Sequence, residues 1–497
     1  MENGFNLEGF GTVSREQLDG LLKSLQTGGD AYNAAPNTLT QGTAMMVENL
    51  DSTLHSVTVS MKNLKFWPMI PKQRAYSTVV QYNRQTGYGE SSNGAFFNAD
   101  AGTAPAEHTA SYNRQLQVVK YIGTTRVVAK TLTLVTPAHG PIIAQQIKAG
   151  TMYILTNLER KLFEANGFFQ SATGTFTGAA GDIPTSSAQF NGLEEQIRIG
   201  GSDSTAQYTG FEKYGGVVSP VEDLAGGAPD DESFDNLANR SLENHGSPSH
   251  VIIDPKTHRD ISKSYLRKER IGAPQMGSPS FGQAGFVLNK FNSVAGELAV
   301  VSDVFLRPKD APLESGETGA PGVPVIGSTT TAADTDAKFS AAVGSDQPEG
   351  TYSYRVSAVN NAGESAACAS SVQAITAGNR VHVVISAGTS GAVYYAAYRA
   401  PVGTIVGHKF IGYVKDSSGS GGGATFRDAG NKTPGGATGY LLEMAEDNLA
   451  WYQLCPLMKM DLATVGPAYR WMQMLFGTPI VTTPLHNALL DNIGRSA

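Results

Sequence analysis

One long stretch of the chain, residues 137–166, shows a helical pattern of apolar residues. Its isoleucines and leucines recur at helical spacing: Ile143, Ile147, Ile154, Leu158 and Leu162. Pro137 and Pro141 stand near the start, and Gly167 supplies a stop. A helix of about 25 residues with a rise of about 1.5 Å per residue would span about 40 Å. The pattern therefore predicts a strut, longer than a typical globular helix.

Before this helix, residues 76–128 show two runs of β-branched and aromatic residues, at 77–84 and 116–122. About 30 residues rich in Gly, Ser, Asn and Ala separate the runs, and a loop of that length is unusual inside a compact domain. The pattern predicts an extended β-hairpin that finds its packing partner on another molecule. A mobile loop is the alternative.

The first 75 residues predict an arm rather than a core. Residues 14–25 predict a short amphipathic helix, with Ser14 and Gln17 in capping-box spacing. Residues 65–71, with the sequence KFWPMIP, are bracketed by proline, which predicts an extended conformation. This segment is either a linker between domains or an arm that lies on a neighbouring subunit.

Residues 185–307 alternate between helical and strand patterns, which is typical of an α+β arrangement. The predicted elements are a helix at 229–244, a buried strand at 249–255, a helix at 256–266, and a β pair whose halves are 285–288 and 298–301. Asp230, Asp231 and Glu232 open the first helix, where carboxylates suit the helix dipole. A cation site is the alternative for these three, but a helix-start role explains them without a metal.

Residues 308–437 carry only β signals between a Pro/Gly-rich linker at 308–327 and a Gly/Ser run at 417–423. The predicted strands are 351–359, 380–385, 392–398, 408–414 and 425–428. Strands at such spacing indicate a small β-sandwich. From residue 438 the mixed pattern returns, with apolar runs at 457–463, 469–476 and 480–484. The simplest explanation is one α+β domain interrupted by a sandwich that is inserted in a loop.

Composition and charge narrow the function classes. A chain of 497 residues predicts two or three domains, and the net charge of −7 comes without any run of Lys or Arg. This excludes a protein whose main task is to wrap DNA, although a lining that tolerates DNA is still allowed. Cys368 and Cys455 lie far apart in the sequence. We therefore expect no disulfide scaffold and no zinc site, which suits a reducing compartment.

Signals for export and catalysis are missing from the sequence. Residues 1–10 lack a signal peptide, and no window reaches the roughly 18 apolar residues of a membrane span. G-x-S-x-G, H-E-x-x-H and G-x-x-x-x-G-K-[ST] do not occur, and the nine histidines are scattered. We expect a soluble protein that is made in a cytoplasm and is not an enzyme. We expect no catalytic, cofactor-binding or metal-binding residues and no cofactor.

The predicted elements follow one another as an arm, a glycine-tipped hairpin, a strut helix, an α+β region and a C-terminal segment that returns to the core. In this order they resemble the major capsid proteins of tailed bacteriophages, which have the Hong Kong 97-like fold. The segments that carry the resemblance are Phe190-Asn191-Gly192-Leu193, Met460-Asp461-Leu462-Ala463, Arg470-Trp471-Met472-Gln473 and Pro479-Ile480-Val481. The resemblance covers about three quarters of the chain. It implies an N-terminal arm at 1–75, an extended loop at 76–128, a spine helix and peripheral domain at 129–184, a first axial part at 185–307, an insert at 308–437, and a C-terminal axial and peripheral part at 438–497.

The insert is similar to fibronectin type III and other immunoglobulin-like modules. Residues 354–365, YRVSAVNNAGES, match the pattern Tyr-x-Val-x-Ala-x-Asn-x-x-Gly-x-Ser of a strand and its turn. Such a module implies a position on the outside of the particle. It would bind host surface glycans or only decorate and stiffen the shell, and both alternatives stay open.

The resemblance implies a structural protein of the virion capsid, assembled in the cytoplasm of a host bacterium. Its subunits would form the hexamers and pentamers of an icosahedral shell that contacts packaged double-stranded DNA non-specifically on its inner face. The expected partners are a separate scaffolding protein, a portal and decoration proteins, without a membrane. Because residues 84–113 contain no lysine, we do not expect the Lys–Asn crosslink of some relatives. The rivals are a phage fibre or surface adhesion protein with a glycan-binding β module, and an enzyme with a carbohydrate-binding insert.

Overall fold

The structure is a computed structural model, and it describes residues 5–7, 11–13, 58–89, 107–135, 140–165, 189–202, 218–268, 287–315, 319–342, 347–360, 362–386, 391–417, 421–463 and 466–494. The chain divides into two units, Met1–Val57 with Leu132–Ile142, and Thr58–Thr131 with Ile143–Ala497. In the first unit, β1 (Phe5–Leu7) pairs antiparallel with β2 (Gly11–Val13). The helix predicted for 14–25 lies outside the described residues.

The described residues form a mixed α/β structure that is rich in strands. The helices are α1 (Phe66–Met69), α2 (Lys130–Leu134), α3 (Ile142–Glu164), α4 (Leu193–Ser202), α5 (Asp231–Glu243) and α6 (Pro255–Lys268), with short 3₁₀ turns at Met61–Asn63, Val304–Leu306 and Pro484–His486. The further strands are β3 (Lys72–Arg74), β4 (Val79–Gly87), β5 (Ser111–Val118), β6 (Lys120–Ala129), β7 (Val221–Asp223), β8 (His250–Ile253), β9 (Lys290–Ser293), β10 (Gly296–Ser302), β11 (Ile326–Ala333), β12 (Gly350–Asn360), β13 (Gly363–Glu364), β14 (Ser371–Ile375), β15 (Asn379–Ile385), β16 (Tyr394–Arg399), β17 (Lys409–Lys415), β18 (Ala424–Asp428), β19 (Ala437–Leu442), β20 (Leu449–Asp461), β21 (Ala468–Val481) and β22 (Ala488–Ile493).

The central layer of the second unit is a four-stranded sheet in the order β3-β20-β21-β6, with α3 packed across it. The helix has 23 residues and a length of about 35 Å. Its C-terminal half buries Ile154, Leu158 and Leu162 in one core with the sheet, whereas Ile143 and Ile147 are half-buried. The predicted strut is thus confirmed from Ile142 to Glu164, and residues 137–139 lie outside the described residues.

Residues 65–71 are not extended, so this prediction was wrong. Phe66–Met69 form the single helical turn α1, because the carboxylate of Glu159 accepts hydrogen bonds from the backbone N–H groups of Lys65 (2.8 Å), Phe66 (2.7 Å) and Trp67 (2.8 Å). Proline is tolerated in a first helical turn, because the N–H that it lacks would make no hydrogen bond within the helix there. Phe66 and Ile70 are buried, and β3 pairs with β20. This part of the predicted arm therefore packs on its own subunit.

The hairpin predicted between residues 76 and 128 is confirmed as an antiparallel pair of β4 and β5, from Val79 opposite Val118 to Gly87 opposite Ser111. The predicted second run at 116–122 is divided in the structure. Its last residues belong to β6, which leaves the hairpin and joins β21. Residues 90–106, which include most of the connecting loop, lie outside the described residues.

A six-stranded mixed sheet in the order β7-β22-β19-β8-β10-β9 carries α5 and α6. The predicted buried strand and both predicted helices are confirmed as β8, α5 and α6. Residues 285–286 of the predicted strand at 285–288 lie outside the described residues, and Val287 and Leu288 are not in a strand, because the partner of β10 is Lys290–Ser293 at the edge of the sheet. Leu288 is instead held by α6, where the Ser262 hydroxyl accepts its N–H at 3.2 Å and the His258 ring contacts its carbonyl at 2.7 Å.

Two further sheets lie between β10 and β19 in the sequence. One has the order β11-β15-β18, and the other has β13-β12-β16-β17 with β14 also paired to β12. They face a common core that includes Tyr354, Val356, Val383 and Ile411. The five strands predicted here are confirmed. Residues 326–333 form a strand that the sequence assigned partly to a linker, and β13 and β14 were not predicted.

Candidate assembly surface

The strands β20, β21 and β6 present an apolar surface to solvent. In their register, Met460 is opposite Met472, and Phe476 is opposite Tyr121. Because alternate residues of a strand share one face, the register places six side chains together. We call this surface the outer sheet face; it consists of Tyr121, Val127, Met458, Met460, Met472 and Phe476.

The side chains of the outer sheet face are open to water to an unusual degree for apolar groups. Tyr121 is 60% exposed, Val127 51%, Met458 44% and Met460 43%. The ring of Tyr121 packs edge-on against that of Phe476, with centroids 4.7 Å apart. Exposed apolar residues that adjoin one another mark interaction sites more often than isolated ones do. This face is therefore a candidate for contact with another molecule.

The opposite face of the same sheet is covered by α3. The side chain of Gln473 on β21 donates a hydrogen bond to the carbonyl of Ile147 at 2.9 Å, and Gly150 lies directly above it. A Cβ atom on Gly150 would lie 1.8 Å from Oε1 of Gln473, so a larger residue there would displace the Gln473 side chain from its place under the helix. Trp471 is buried on this side. The sheet thus has one face in the subunit core and one face exposed.

The sequence segments that carry the family resemblance meet in the structure. Gln196 on α4 joins two of them, because its amide nitrogen donates to the carbonyls of Asn191 (2.7 Å) and Pro479 (3.1 Å). Its carbonyl oxygen accepts the N–H of Val481 at 2.9 Å. The other two segments pair across the β20–β21 hairpin, where Asp461 is opposite Trp471. These residues build the junction of α4 with the sheet rather than a reactive site.

The hairpin of β4 and β5 is tied to the body at its root. The guanidinium of Arg84 donates to the carbonyls of Thr482 and Val481, at the end of β21. Arg84 also donates to the hydroxyl of Tyr82, whose pKa is raised mainly by burial. Farther along the hairpin, Tyr112 is 68% exposed. The root is thus fixed, and the described part beyond it presents aromatic surface.

The three carboxylates singled out in the sequence open a helix. The Asp230 carboxylate accepts hydrogen bonds from the backbone N–H (2.9 Å) and the hydroxyl (2.7 Å) of Ser233, while Asp231 and Glu232 lie in the first turn. The helix-start role is therefore confirmed for Asp230. Within the described ranges, no three His, Cys, Asp or Glu side chains are placed to hold a metal ion, and no helix has the length and hydropathy to cross a membrane.

The sequence did not single out the outer sheet face. Its signal was present as apolar residues at every second position, Met458 and Met460 on β20 and Tyr121 on β6. What the pattern could not tell is which face α3 covers, because that depends on the contact of Gln473 with Ile147 across 326 residues of sequence.

No family model matches the chain. Among solved structures, it is similar to a chain of the cyanophage P-SCSP1u capsid, at 9% identity and a TM-score of 0.42, covering 94% of this chain and 98% of that one. Among curated proteins, it is 21% identical over 492 residues to the major capsid proteins of Staphylococcus phages S25-3 and S25-4, covering 95% of this chain and 94% of each relative. This similarity supports the role of a structural capsid subunit. The outer sheet face is accordingly a candidate contact between such subunits.

Proposed function

We propose that the chain is the major capsid subunit of a tailed phage with a Hong Kong 97-like fold. Its copies assemble into the hexamers and pentamers of an icosahedral shell around double-stranded DNA. The observation that carries this proposal is the outer sheet face. One layer of strands supplies the subunit core with one face and leaves methionine, tyrosine and valine side chains exposed on the other.

The chemistry of this face suits contacts between copies of the chain. A specific contact buries about 800 Å² per partner, and contacts closed by symmetry combine into a stable shell. Two of the exposed side chains are methionines, which adapt to irregular partners because they are unbranched and flexible. Met458 and Met460 can therefore pack in the slightly different surroundings of a hexamer and a pentamer.

The proposal gives each region a role. The hairpin at 76–128 is the extended loop that lies across a neighbour, α3 is the spine helix, and the sheets that carry α5 and α6 belong to the axial domain. The two sheets between β10 and β19 form an immunoglobulin-like domain on the outside of the shell. A separate scaffolding protein, a portal and decoration proteins complete the particle, and the inner face contacts DNA non-specifically.

The test replaces two residues of the outer sheet face, in the double variant Met458→Asp with Met460→Asp. The two new charges would have to be buried in the contact between subunits, so we expect a folded, soluble subunit that forms few or no shells. The matched control is Val323→Asp with Val372→Asp, which adds the same charge at exposed positions near and on the sandwich (52% and 48% exposed).

The measurement is negative-stain microscopy of the chain co-expressed with the other structural proteins of its phage, with circular dichroism to verify folding. Round shells from the control and none from the double variant are expected. Normal shells from the double variant would contradict the role of the face. Elongated trimers from the wild type would instead favour the rival, a phage fibre or adhesion protein.

A further inference from the structure

One face of the five-stranded sheet packs in the sandwich core. The other face points away from that core and is partly covered by a segment of the same chain. Its covering segment is residues 309–315, the part that precedes the sandwich. The carbonyl of Lys309 accepts the N–H of Phe410 at 3.2 Å, and the N–H of Leu313 donates to the Glu364 carboxylate at 3.0 Å. A cavity of about 260 Å³ lies at this segment, lined by Pro312, Arg355, Tyr398, Ile405, Val406 and His408, among others.

The carboxylate on this face, Glu364, is fully engaged. It accepts hydrogen bonds from the hydroxyls of Tyr398 (2.6 Å) and Ser357, and it pairs with the ammonium of Lys309 at 2.6 Å. Burial acts to raise the pKa of Glu364, but Lys309 and the hydrogen bonds outweigh it and lower that pKa. Glu364 is therefore ionised, and Lys309 balances its negative charge.

Arg355 lies on the same face without such a partner. It is opposite Tyr398 in the pairing of β12 with β16, so both side chains point into the cavity they line. Its Nε atom is buried and has no hydrogen-bond partner, and no carboxylate of the described residues forms an ion pair with it. The Nε atom of Arg399, buried between the two sheets, also lacks a hydrogen-bond partner, but its guanidinium pairs with Asp428 at 2.6 Å, whereas that of Arg355 pairs with no carboxylate of the described residues. A buried guanidinium nitrogen without an acceptor is unfavourable, so the arrangement favours an incoming anion.

The rest of the cavity restricts the shape of that anion. Ile405 and Val406 form an apolar rim, 61% and 70% exposed, and the His408 ring is held by the Ser353 hydroxyl at 2.9 Å. Pockets for drug-sized ligands run from about 300 to 1,000 Å³, so this cavity suits one small ring rather than a long chain. Arginine recognises a carboxylate through two parallel hydrogen bonds.

We propose that the Arg355 cavity binds the carboxylate of a hexuronic acid residue in a host surface glycan. The guanidinium holds the carboxylate, and the apolar rim contacts the ring. Binding of the free sugar acid needs only the cavity. Its biological use rests on the proposed function, which places the sandwich on the outside of the shell.

The probe is glucuronate, titrated into the full-length chain, with glucose as the neutral counterpart and inorganic phosphate as a second anion. Saturation-transfer NMR and calorimetry measure binding. We expect glucuronate to bind more tightly than either counterpart and Arg355→Gln to weaken it at least tenfold. Arg355→Lys should give an intermediate affinity, because it keeps the charge but loses the parallel hydrogen bonds.

The control is Arg380→Gln, which removes the same charge from β15, where Arg380 pairs with Asp334 at 3.3 Å. It should bind glucuronate as the wild type does. Equal binding of glucose, equal binding of phosphate, or unchanged binding by a folded Arg355→Gln variant would overturn the proposal. Shells counted by microscopy test the proposed function separately, since sugar binding is read on the soluble chain, and Arg355→Gln should still assemble.

Discussion

Glu159 on α3 and Asp303, which follows β10, are both fully buried, and burial together with the charge of Glu159 raises the pKa of Asp303. The Glu159 carboxylate accepts hydrogen bonds from three backbone N–H groups, whereas Oδ2 of Asp303 is buried without a hydrogen-bond partner. Asp303 therefore has fewer hydrogen bonds than Glu159 to stabilise a negative charge. Its burial raises its pKa to about 7, with the charge of Glu159 acting in the same direction and the N–H of Phe305 and the charge of Lys65 acting against it.

This pair makes stability depend on pH, and Asp303→Asn should remove that dependence. Because the pKa of Asp303 is higher in the folded than in the unfolded chain, its contribution is complete below about pH 4. It is lost as the pH rises to about 7, by on the order of 2–4 kcal/mol in total. Urea unfolding at pH 5 and pH 8 should therefore show a smaller loss of stability in the variant than in the wild type. The exposed Asp447→Asn is the control, and equal losses in all three proteins would refute the raised pKa of Asp303.

Gly192, in one of the segments that carry the resemblance, should not tolerate a side chain. A Cβ atom there would lie 2.7 Å from the carbonyl oxygen of Phe163 and 2.8 Å from the backbone nitrogen of Ala165, and backbone atoms cannot move aside. We expect Gly192→Ala to lower the free energy of unfolding by about 1–3 kcal/mol.

The matched control for this substitution is Gly322→Ala, because a Cβ atom at Gly322 would meet no atom within 4 Å. It should change stability by no more than about 0.5 kcal/mol. Thermal and urea unfolding of both variants provide the comparison. Equal stabilities of the two variants would show that the close approach at Gly192 is not required.

Asp491 on β22 forms ion pairs at the point where the chain leaves the sandwich and re-enters the six-stranded sheet. Its carboxylate pairs with Lys432 at 2.6 Å and with Arg198 on α4 at 2.7 Å. Burial acts to raise the pKa of Asp491, but the two cations outweigh it and lower that pKa to about 2. The stabilisation is thus present above about pH 4 and is lost as the pH falls through 2. Because both cations are partly exposed, Asp491→Asn should cost about 1–3 kcal/mol at pH 7, less than a fully buried pair.

The control for Asp491→Asn is Asp461→Asn, which removes an exposed partner of Lys459. Such surface pairs are worth about 0–1 kcal/mol. Urea unfolding at pH 7 should therefore separate the two variants clearly. A loss as small for Asp491→Asn as for the control would mean that the junction of the sandwich with the body is held by other contacts.

Local patterns in the sequence predicted the elements whose cause is local. The spacing of Ile154, Leu158 and Leu162 predicted α3. The acidic residues 230–232 predicted where α5 begins. Residues 65–71 were wrongly predicted as extended, because the helical turn there depends on Glu159, more than 90 residues away. Such a long-range cap leaves no trace in the nearby sequence.

The candidate sites depend on long-range contacts even more strongly. The sequence showed apolar runs at 457–463 and 469–476 without assigning strands to them, and the side of β20 and β21 left exposed was decided by the packing of α3 over Gln473. Likewise, Arg355 reads as an ordinary strand residue in the sequence. The carboxylate of the same face, Glu364, pairs with Lys309, which lies in the segment interpreted as a linker.

The extended hairpin should be dispensable for folding and essential for assembly. Gly87 is opposite Ser111, so residues 88–110 can be replaced by Asn-Gly, which closes a two-residue turn between paired strands. The root keeps its bonds from Arg84 to the end of β21. We expect a soluble variant with wild-type circular dichroism that forms no shells under the microscope. Normal particles from this variant would show that the loop has no role between subunits, whereas an unfolded variant would show that it belongs to the core.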